Sequence, residues 1–313
     1  MKAPVLIAIG GNALIRAGER GTIQEQTAHA EACMARVAGQ VEKGLSVVIT
    51  HGNGPFVGNI VAQMECAADA IPPMPLYIAD ADSEGGIGFL LQQSLYNRLH
   101  GRVKGAGVVA VVTQVVVDGD DPAFGRPTKP IGPFYAEKEA KSLSAARGFK
   151  MVEDAGRGWR RVVPSPRPVR IVEADSIRRL ALAGDVVIAA GGGGVPVVED
   201  AKGHLRGVDC VVDKDYASAL LARQVGAERL IILTSVPCVY LDYGKKGQRP
   251  IRKMTVEEAG GRLAGGEFPP GSMGPKIEAA VDFLKKGGGE VVITSPEALA
   301  GAMAGRAGTK IRP

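Results

Sequence analysis

Short runs of apolar, often β-branched residues alternate along the chain with longer segments in which apolar residues recur every three or four positions. The short runs are typical of buried strands, and the longer segments are typical of amphipathic helices. Strands are predicted at 5–9, 45–50, 108–117, 186–190, 230–233 and 291–294. Helices are predicted at 55–69, 87–100, 214–224 and 274–286.

Helix starts are marked by capping residues. Thr22 with Glu25, and Thr255 with Glu258, have the spacing of a capping box, and each pair precedes an apolar periodic segment. Ser295 followed by Pro296 is typical of an N-cap with proline at the first helical position.

Strands separated by helices of this length favour a mostly parallel sheet that is covered on both faces. In such sheets ligands bind beyond the carboxyl ends of the strands. Glycine-rich segments follow Ile9, Thr50 and Ala190, where three predicted strands end. The Pro- and Gly-rich segments 118–134 and 149–168 are interpreted as excursions from the sheet, such as a hairpin or a small lid, and a lobe boundary is expected near 200–210.

The amino-acid composition disfavours several classes of protein function. The chain has 313 residues with 45% apolar, 23% charged and 4% aromatic residues, and a formal net charge of +5. Few aromatic residues and the absence of a basic run disfavour a nucleic-acid-binding role. Four cysteines without a C-x-x-C pair, and four scattered histidines, give no zinc-site spacing. No apolar segment approaches the roughly 18 residues of a membrane span, so we expect a cytoplasmic protein.

The first candidate for chemistry is the segment Gly10-Gly11-Asn12, which follows the first predicted strand. Successive glycines at a strand end can turn several backbone N–H groups toward one anion. A plain tight turn is the alternative. The chain contains neither a G-x-G-x-x-G fingerprint nor a G-x-x-x-x-G-K-[ST] phosphate loop, so the usual nucleotide-binding motifs are disfavoured.

A second glycine turn, Gly52-Asn53-Gly54, follows the next predicted strand. The Asn53 amide is a candidate donor to an oxyanion, and a strand-to-helix turn with a left-handed asparagine is the alternative. Two such turns on successive strands favour a shared site.

Three lysines lie in unusual settings. Lys129 lies in a proline-stiffened loop, Lys214 lies between Asp213 and Asp215 at a strand end, and Lys276 lies at a helix start. The helix dipole disfavours a lysine at a helix start unless an anion binds there, and a solvated lysine is the alternative. Asp213 and Asp215 either orient a lysine or cap the helix.

Eight segments, in order over nearly the whole chain, resemble carbamate kinases of the amino-acid-kinase family. They are AIGGNA (8–13), HGNGP (51–55), TQVVVD (113–118), PTKPIGP (127–133), EDAGRGWR (153–160), GGGG (191–194), DKD (213–215) and PGSMGPK (270–276). The strings at 127–133 and 153–159 are specific to carbamate kinases within that family.

The resemblance implies a three-layer α/β/α sandwich with a mostly parallel central sheet. It divides the single 1–313 domain into a substrate lobe (about 1–205), which carries a protruding subdomain (about 118–165), and a nucleotide lobe (about 206–313). It also implies a homodimer, a role in arginine metabolism, and Mg²⁺-dependent phosphoryl transfer between ATP and carbamate to give ADP and carbamoyl phosphate.

The resemblance also implies residue roles. The substrate and the transferred phosphate would be held by Gly10, Gly11, Asn12, Gly52, Asn53 and Gly54. The catalytic residues would be Lys129, Lys214, Asp215 and Lys276. The nucleotide would be bound by Lys214, Thr234, Tyr240, Tyr243, Met273, Gly274 and Lys276, although ordinary packing at a strand end is the alternative for the two tyrosines.

One segment departs from the carbamate kinase pattern, which usually has an Ala-Met-Thr-Gln-Gly-like string where this chain has Ala81-Asp-Ser-Glu-Gly-Gly86. Glu84 stands where the family has glutamine. One interpretation is helix capping by Asp82 or Ser83, with Glu84 in the first turn. The other is an altered substrate preference. Wider alternatives are a family kinase for another acidic substrate, or a non-catalytic nucleotide-binding regulator.

Overall fold

The computed structural model describes residues 3–11, 14, 19–154, 158–269 and 271–313. The strands are β1 (Val5–Ile9), β2 (Val47–His51), β3 (Val108–Val111), β4 (Gln114–Val117), β5 (Lys129–Tyr135), β6 (Met151–Glu153), β7 (Trp159–Val163), β8 (Pro168–Ile171), β9 (Val186–Ala189), β10 (Val195–Glu199), β11 (Leu205–Gly207), β12 (Arg229–Leu233), β13 (Val239–Leu241), β14 (Arg249–Ile251), β15 (Lys253–Thr255), β16 (Glu290–Thr294) and β17 (Thr309–Arg312). The helices are α1 (Ile23–Val41), α2 (Gly54–Cys66), α3 (Leu76–Leu99), α4 (Glu137–Arg147), α5 (Ala174–Ala183), α6 (Lys214–Gln224), α7 (Val256–Ala264), α8 (Met273–Lys285) and α9 (Leu299–Met303).

An eight-stranded sheet in the order β15-β17-β16-β12-β1-β2-β9-β3 forms the centre of the molecule. The six strands from β16 to β3 pair in parallel, and β17 pairs antiparallel with β16. The carboxyl ends of β1, β2 and β9 therefore lie side by side at one edge of the sheet, which brings the three glycine-rich segments together.

Two hydrophobic cores lie on opposite faces of this sheet. In β1, Leu6 and Ala8 face the core formed with α5, α6, α7 and α8. Val5, Ile7 and Ile9 alternate with them and face the core formed with α1, α3 and α9. This is the alternation expected of a strand that is buried on both sides. The predicted three-layer α/β/α arrangement with a mostly parallel central sheet is confirmed.

A three-stranded antiparallel sheet, β5-β7-β6, lies outside the central sheet and is packed against α2. A Cβ added at Gly58 of α2 would be 2.1 Å from the Gly132 Cα, so the backbones of the helix and β5 are in direct contact. The Arg161–Glu65 ion pair (3.0 Å) joins α2 to β7 of the same sheet. The division of the chain into two lobes and a protruding subdomain remains a prediction.

The predicted strand at 108–117 is wrong in one respect, because the structure breaks it into β3 and β4. The first belongs to the eight-stranded sheet, and the second to a sheet with the order β11-β10-β4-β8. The break lies at Val112 and Thr113, where the Thr113 N–H donates to Glu84 Oε2 at 3.0 Å instead of pairing in a ladder.

Helix boundaries show the other differences. The Thr22–Glu25 and Thr255–Glu258 capping boxes are confirmed. The Ser295 N-cap is wrong, since 296–298 form a turn and α9 begins at Leu299. Helix α3 begins at Leu76, eleven residues before the predicted start at Ile87. No helix of the described residues is both long and apolar enough to cross a membrane.

Candidate active site

The first two glycine turns pack directly against each other at the ends of β1 and β2. The Gly52 N–H donates to the Ile9 carbonyl at 2.9 Å. A Cβ added at Gly52 would be 2.7 Å from the Gly11 nitrogen, and one added at Gly11 would be 3.0 Å from Gly54. Only glycine permits this approach. The structure therefore brings Gly10, Gly11, Gly52, Asn53 and Gly54 together, while Asn12 lies outside the described residues.

The third glycine segment, Gly191–Gly194, follows β9 and closes the site from the side opposite β1. A Cβ at Gly192 would be 2.4 Å from the Asn53 amide nitrogen. The same nitrogen lies 3.3 Å from both Asp80 Oδ1 and Ser83 Oγ of α3. Asn53 is thus fixed between the glycine run and α3.

A cluster of two lysines and one aspartate faces the glycine turns from α6 and α8. Asp215 accepts from Lys214 through Oδ1 and from Lys276 through Oδ2, the latter at 3.0 Å. The aliphatic stem of Lys214 passes beside Gly52, since a Cβ there would be 3.4 Å from Lys214 Cδ. Lys214 therefore joins the α6 side of the site to the second glycine turn.

Lys129 enters from β5 and pairs with Asp213, the residue that caps α6. Lys129 Nζ lies 2.5 Å from Asp213 Oδ2, while Asp213 Oδ1 accepts from the Asp215 N–H at 2.9 Å. Asp213 therefore caps α6 as predicted, and both aspartates form ion pairs with the predicted lysines. All three predicted lysines converge on the start of α6.

Burial and charge set the protonation states of this cluster. Burial lowers the pKa of Lys214, and Lys276 lowers it further, while Asp215 opposes both. Burial alone would raise the pKa of Asp215, but the two lysines hold it well below its usual range. Asp215 is consequently ionised at neutral pH, and its charge favours the protonated form of Lys214.

His51, the last residue of β2, is fully buried behind the second glycine turn. Burial lowers its pKa to about 4, and nearby Lys214 lowers it as well. Its Nδ1 lies 3.3 Å from the Gly52 carbonyl, and its Nε2 has no hydrogen-bond partner in the described part of the chain. The imidazole is neutral at physiological pH.

The predicted nucleotide residues fall into two groups. Thr234 lies near the first glycine turn, because Gly10 packs against the end of β12. A Cβ added at Gly10 would be 3.2 Å from the carbonyl oxygen of Leu233, the residue before Thr234. Met273 and Gly274 begin α8, one turn before Lys276. Tyr240 and Tyr243 contact each other at 5.9 Å between ring centroids, and Tyr243 is 61% exposed. The interactions that define the lysine cluster do not include the two tyrosines.

Glu84 and Asp80 form a buried acidic pair on α3 behind the glycine segments. Glu84 Oε1 accepts from the Gly191 N–H at 2.8 Å, and its Oε2 accepts from the Thr113 N–H at 3.0 Å. The capping interpretation is wrong, because these residues lie in the second and third turns of α3. Asp80 was missed by the sequence reasoning. Its signal was its i, i+3, i+4 spacing with Ser83 and Glu84, which places the three on one helix face.

The described residues contain no group of three or more His, Cys, Asp or Glu side chains arranged to hold a metal ion. Both carboxylate oxygens of Asp215 are bonded to lysines. This donor set does not fit a Mg²⁺ ion held by protein ligands alone.

Comparisons with known proteins identify the family. The family model described as "Amino acid kinase family" matches residues 3–295. The carbamate kinase of Pyrococcus horikoshii is 46% identical over 100% of both chains. The "Carbamate kinase-like protein YahI" of Escherichia coli is also 46% identical, over 99% of both chains. The solved structure of a carbamate kinase from Giardia lamblia bound to AMP-PNP has a TM-score of 0.91 and 41% identity over 99% of this chain and 98% of its own. The chain belongs to the amino acid kinase family and, within it, to the carbamate kinase group of phosphotransferases.

Proposed function

We propose that this protein catalyses reversible phosphoryl transfer between ATP and carbamate, giving ADP and carbamoyl phosphate. The observation that carries the proposal is the position of Lys214, which passes beside the Gly52 turn while sharing Asp215 with Lys276. A cation at this point lies between the glycine turns, which suit an anion, and the start of α8, where the predicted nucleotide residues lie.

The chemistry needs positioning more than proton transfer. Carbamate is anionic at neutral pH, so its oxygen can attack the γ-phosphorus directly while the bond to the β–γ bridging oxygen breaks. The site must offset the repulsion between two anions and hold the reacting atoms in line. No general base is required, which agrees with the neutral, fully buried His51 as the histidine nearest the turns.

Each charged residue has a role in this proposal. Lys214 and Lys276 stabilise negative charge on the phosphoryl group in transfer, and Asp215 orients both of them. Lys129 reaches the same region from the three-stranded sheet and supplies a further cation. The first two glycine turns, with Asn12 and Asn53, bind carbamate and the transferred phosphate.

The nucleotide is proposed to bind beside Thr234 and the start of α8, with Met273 and Gly274 in contact and Tyr240 and Tyr243 at the outer wall. The Giardia lamblia carbamate kinase, which was solved bound to AMP-PNP, supports a nucleotide site in this group. The Mg²⁺ ion is proposed to arrive as part of the nucleotide substrate, because kinases commonly bind it through phosphate oxygens, water and few carboxylates.

The test is an assay of ATP formation from ADP, with carbamoyl phosphate and acetyl phosphate offered separately as phosphoryl donors. ATP formation with carbamoyl phosphate and little with acetyl phosphate is expected. Efficient use of acetyl phosphate, or no turnover of carbamoyl phosphate, would reject the proposed substrate.

The second candidate is a kinase of the same family that acts on another small acidic substrate. The observation that favours it is Glu84 on α3, an acidic residue at a position where carbamate kinases usually have glutamine. Nucleotide binding without carbamoyl phosphate turnover, followed by ATP hydrolysis stimulated by one member of a carboxylate panel, would support this candidate.

A homodimer and a cytoplasmic location complete the proposal. Phe89 and Tyr96 of α3 are 56% and 52% exposed, and Val112, beside the edge strand β3, is 56% exposed. Such side chains suit burial against a second copy of the chain. Light scattering of the purified protein is expected to give the mass of a dimer.

A further inference from the structure

Glu84 joins three segments through one buried carboxyl group. It lies in the middle of α3 with 4% of its surface exposed. Its two oxygens accept from backbone N–H groups that belong to different segments, Gly191 at 2.8 Å and Thr113 at 3.0 Å. Because both oxygens are occupied and the side chain is covered, direct contact with a substrate is disfavoured.

The two segments held by Glu84 are also joined to each other. The Ala190 N–H donates to Thr113 Oγ1 at 2.9 Å. The Val195 N–H donates to the Thr113 carbonyl at 2.8 Å. Thr113 and Glu84 therefore fix both ends of the Gly191–Gly194 run, leaving its centre to pack against the second glycine turn.

The centre of the run touches a proposed substrate-binding residue. A Cβ at Gly192 would overlap the Asn53 amide, at 2.4 Å from its nitrogen. A displacement of the run by a few tenths of an ångström therefore moves either Asn53 or the contacts of its amide with Asp80 and Ser83.

We infer that Glu84 is a positioning residue for phosphoryl transfer, because its carboxyl group fixes the Gly191–Gly194 run and thereby the position of Asn53. The inference rests on the proposed function. A carboxyl group presents an oxygen to each of the two backbone donors, as a full acceptor when ionised and as a weaker one at its hydroxyl when protonated, whereas the amide of glutamine presents an N–H₂ group to one of them. This chain therefore has one tie more than a carbamate kinase with glutamine at the position.

The test compares Glu84→Gln with the wild-type protein and with the matched control Glu173→Gln. Glu173 also accepts from a backbone N–H and from a side-chain amide, those of Gln114, at 2.7 and 3.0 Å. It lies at the start of α5 rather than against the glycine run. Steady-state kinetics with ADP and carbamoyl phosphate separate the two variants.

For Glu84→Gln, kcat/KM for carbamoyl phosphate is expected to fall about 10- to 100-fold, which is the range that small misplacements produce. KM for ADP is expected to stay within about twofold, since the hydrogen bonds of Glu84 go to Gly191 and Thr113 and not to the lysine cluster. Glu173→Gln is expected to retain wild-type kinetics. Amide hydrogen exchange at 190–195 is expected to rise in Glu84→Gln alone, which is a readout independent of the reaction.

Four outcomes of these experiments are distinguished. Unchanged carbamoyl phosphate kinetics in folded Glu84→Gln would overturn it, as would an equal loss in Glu173→Gln. Should Glu84→Gln fail to fold, Thr113→Val removes the Ala190 tie with little change of shape and is expected to show the same selective loss in smaller measure. A wild-type protein that does not turn over carbamoyl phosphate rejects the proposed function, and hydrogen exchange at 190–195 still tests the role of Glu84.

Discussion

The buried carboxyl of Glu84 makes a prediction about stability that can be tested without knowing the substrate. Burial raises its pKa from 4.5 to about 8, although the N–H groups of Thr113 and Gly191 favour the ionised form. Glu173 raises the pKa slightly, and Asp80 is a second carboxyl nearby whose pKa burial also raises. Replacing Glu84 by glutamine removes the titration and keeps the size of the side chain.

The direction in which stability changes with pH follows from the protons bound by the folded and unfolded states. Between pH 4.5 and about 8 the folded protein holds a proton on Glu84 that the unfolded chain has released. The stability contributed by this group is therefore greatest below pH 4.5, falls as the pH rises through this window, and stays low above it. A difference between 4.5 and about 8 corresponds to on the order of 5 kcal/mol as an upper value.

The stability of the Glu84→Gln protein is expected to depend on pH differently. At about pH 5 the protonated carboxyl and the amide each offer one good acceptor, so the two proteins should differ by about 1 kcal/mol. At about pH 9 the wild-type protein carries the cost of a buried charge and the Glu84→Gln protein does not. We expect the variant to become the more stable protein, by several kcal/mol, as the pH rises.

The assay is urea unfolding of both proteins at several values between about pH 5 and 9. Asp80 and His51 titrate in both proteins, and His51 acts with the opposite sign because burial lowers its pKa to about 4. The difference between the two stability curves therefore reports Glu84 together with its effect on the pKa of Asp80. A difference that stays constant within about 0.5 kcal/mol across this range would refute the reasoning.

Three further predictions address the site and its surroundings. Lys276→Ala is expected to lower turnover by about 10²–10³-fold with the fold retained, because Asp215 still pairs with Lys214 but the second cation is lost. Steady-state kinetics measure this loss, with Lys286→Ala as the control, since Lys286 is exposed and pairs with Asp282 one turn earlier. Near-full activity of Lys276→Ala would contradict the assignment. Gly191→Ala is expected to destabilise the protein by about 1–3 kcal/mol, since the added Cβ would be 2.2 Å from His51 Nε2; wild-type stability in urea unfolding would contradict the packing described. Gly261→Ala, in α7 with nothing within 4 Å of the added Cβ, is expected to raise stability by about 1 kcal/mol without changing kinetics, and a lower melting temperature would contradict the helical assignment.

The central sheet could be predicted because its signal is local. Each strand of the parallel sheet is an apolar run, and β1 ends at Ile9 as predicted. The glycine turns follow because glycine is required where backbones approach closely, as between Gly11 and Gly52. The break between β3 and β4 could not be predicted from the run 108–117. It depends on Glu84, 29 residues away, which takes the Thr113 N–H out of the sheet.

The long-range contacts of the site also could not be predicted from the sequence. Lys129 and Asp213 are 84 residues apart, and their pairing depends on how the three-stranded sheet packs against α2. The sequence did identify both as candidates. A lysine in a proline-stiffened loop is unusual, and an aspartate directly before a helix is a typical N-cap. Their roles in phosphoryl transfer remain predictions that kinetics of single variants would test.

The start of α3 shows why a functional helix can be misread. Asp80, Ser83 and Glu84 are all at most 4% exposed, yet polar residues at helical spacing usually mark a face in solvent. Here they face backbone N–H groups and the Asn53 amide, which satisfy both oxygens of Glu84 and one oxygen of Asp80. Asp80 Oδ2 has no hydrogen-bond partner among the described residues. Tertiary packing also overrides the low helix propensity of Gly85 and Gly86. A polar stripe on a helix that lies beside glycine-rich strand ends is therefore better interpreted as facing those loops than as facing water.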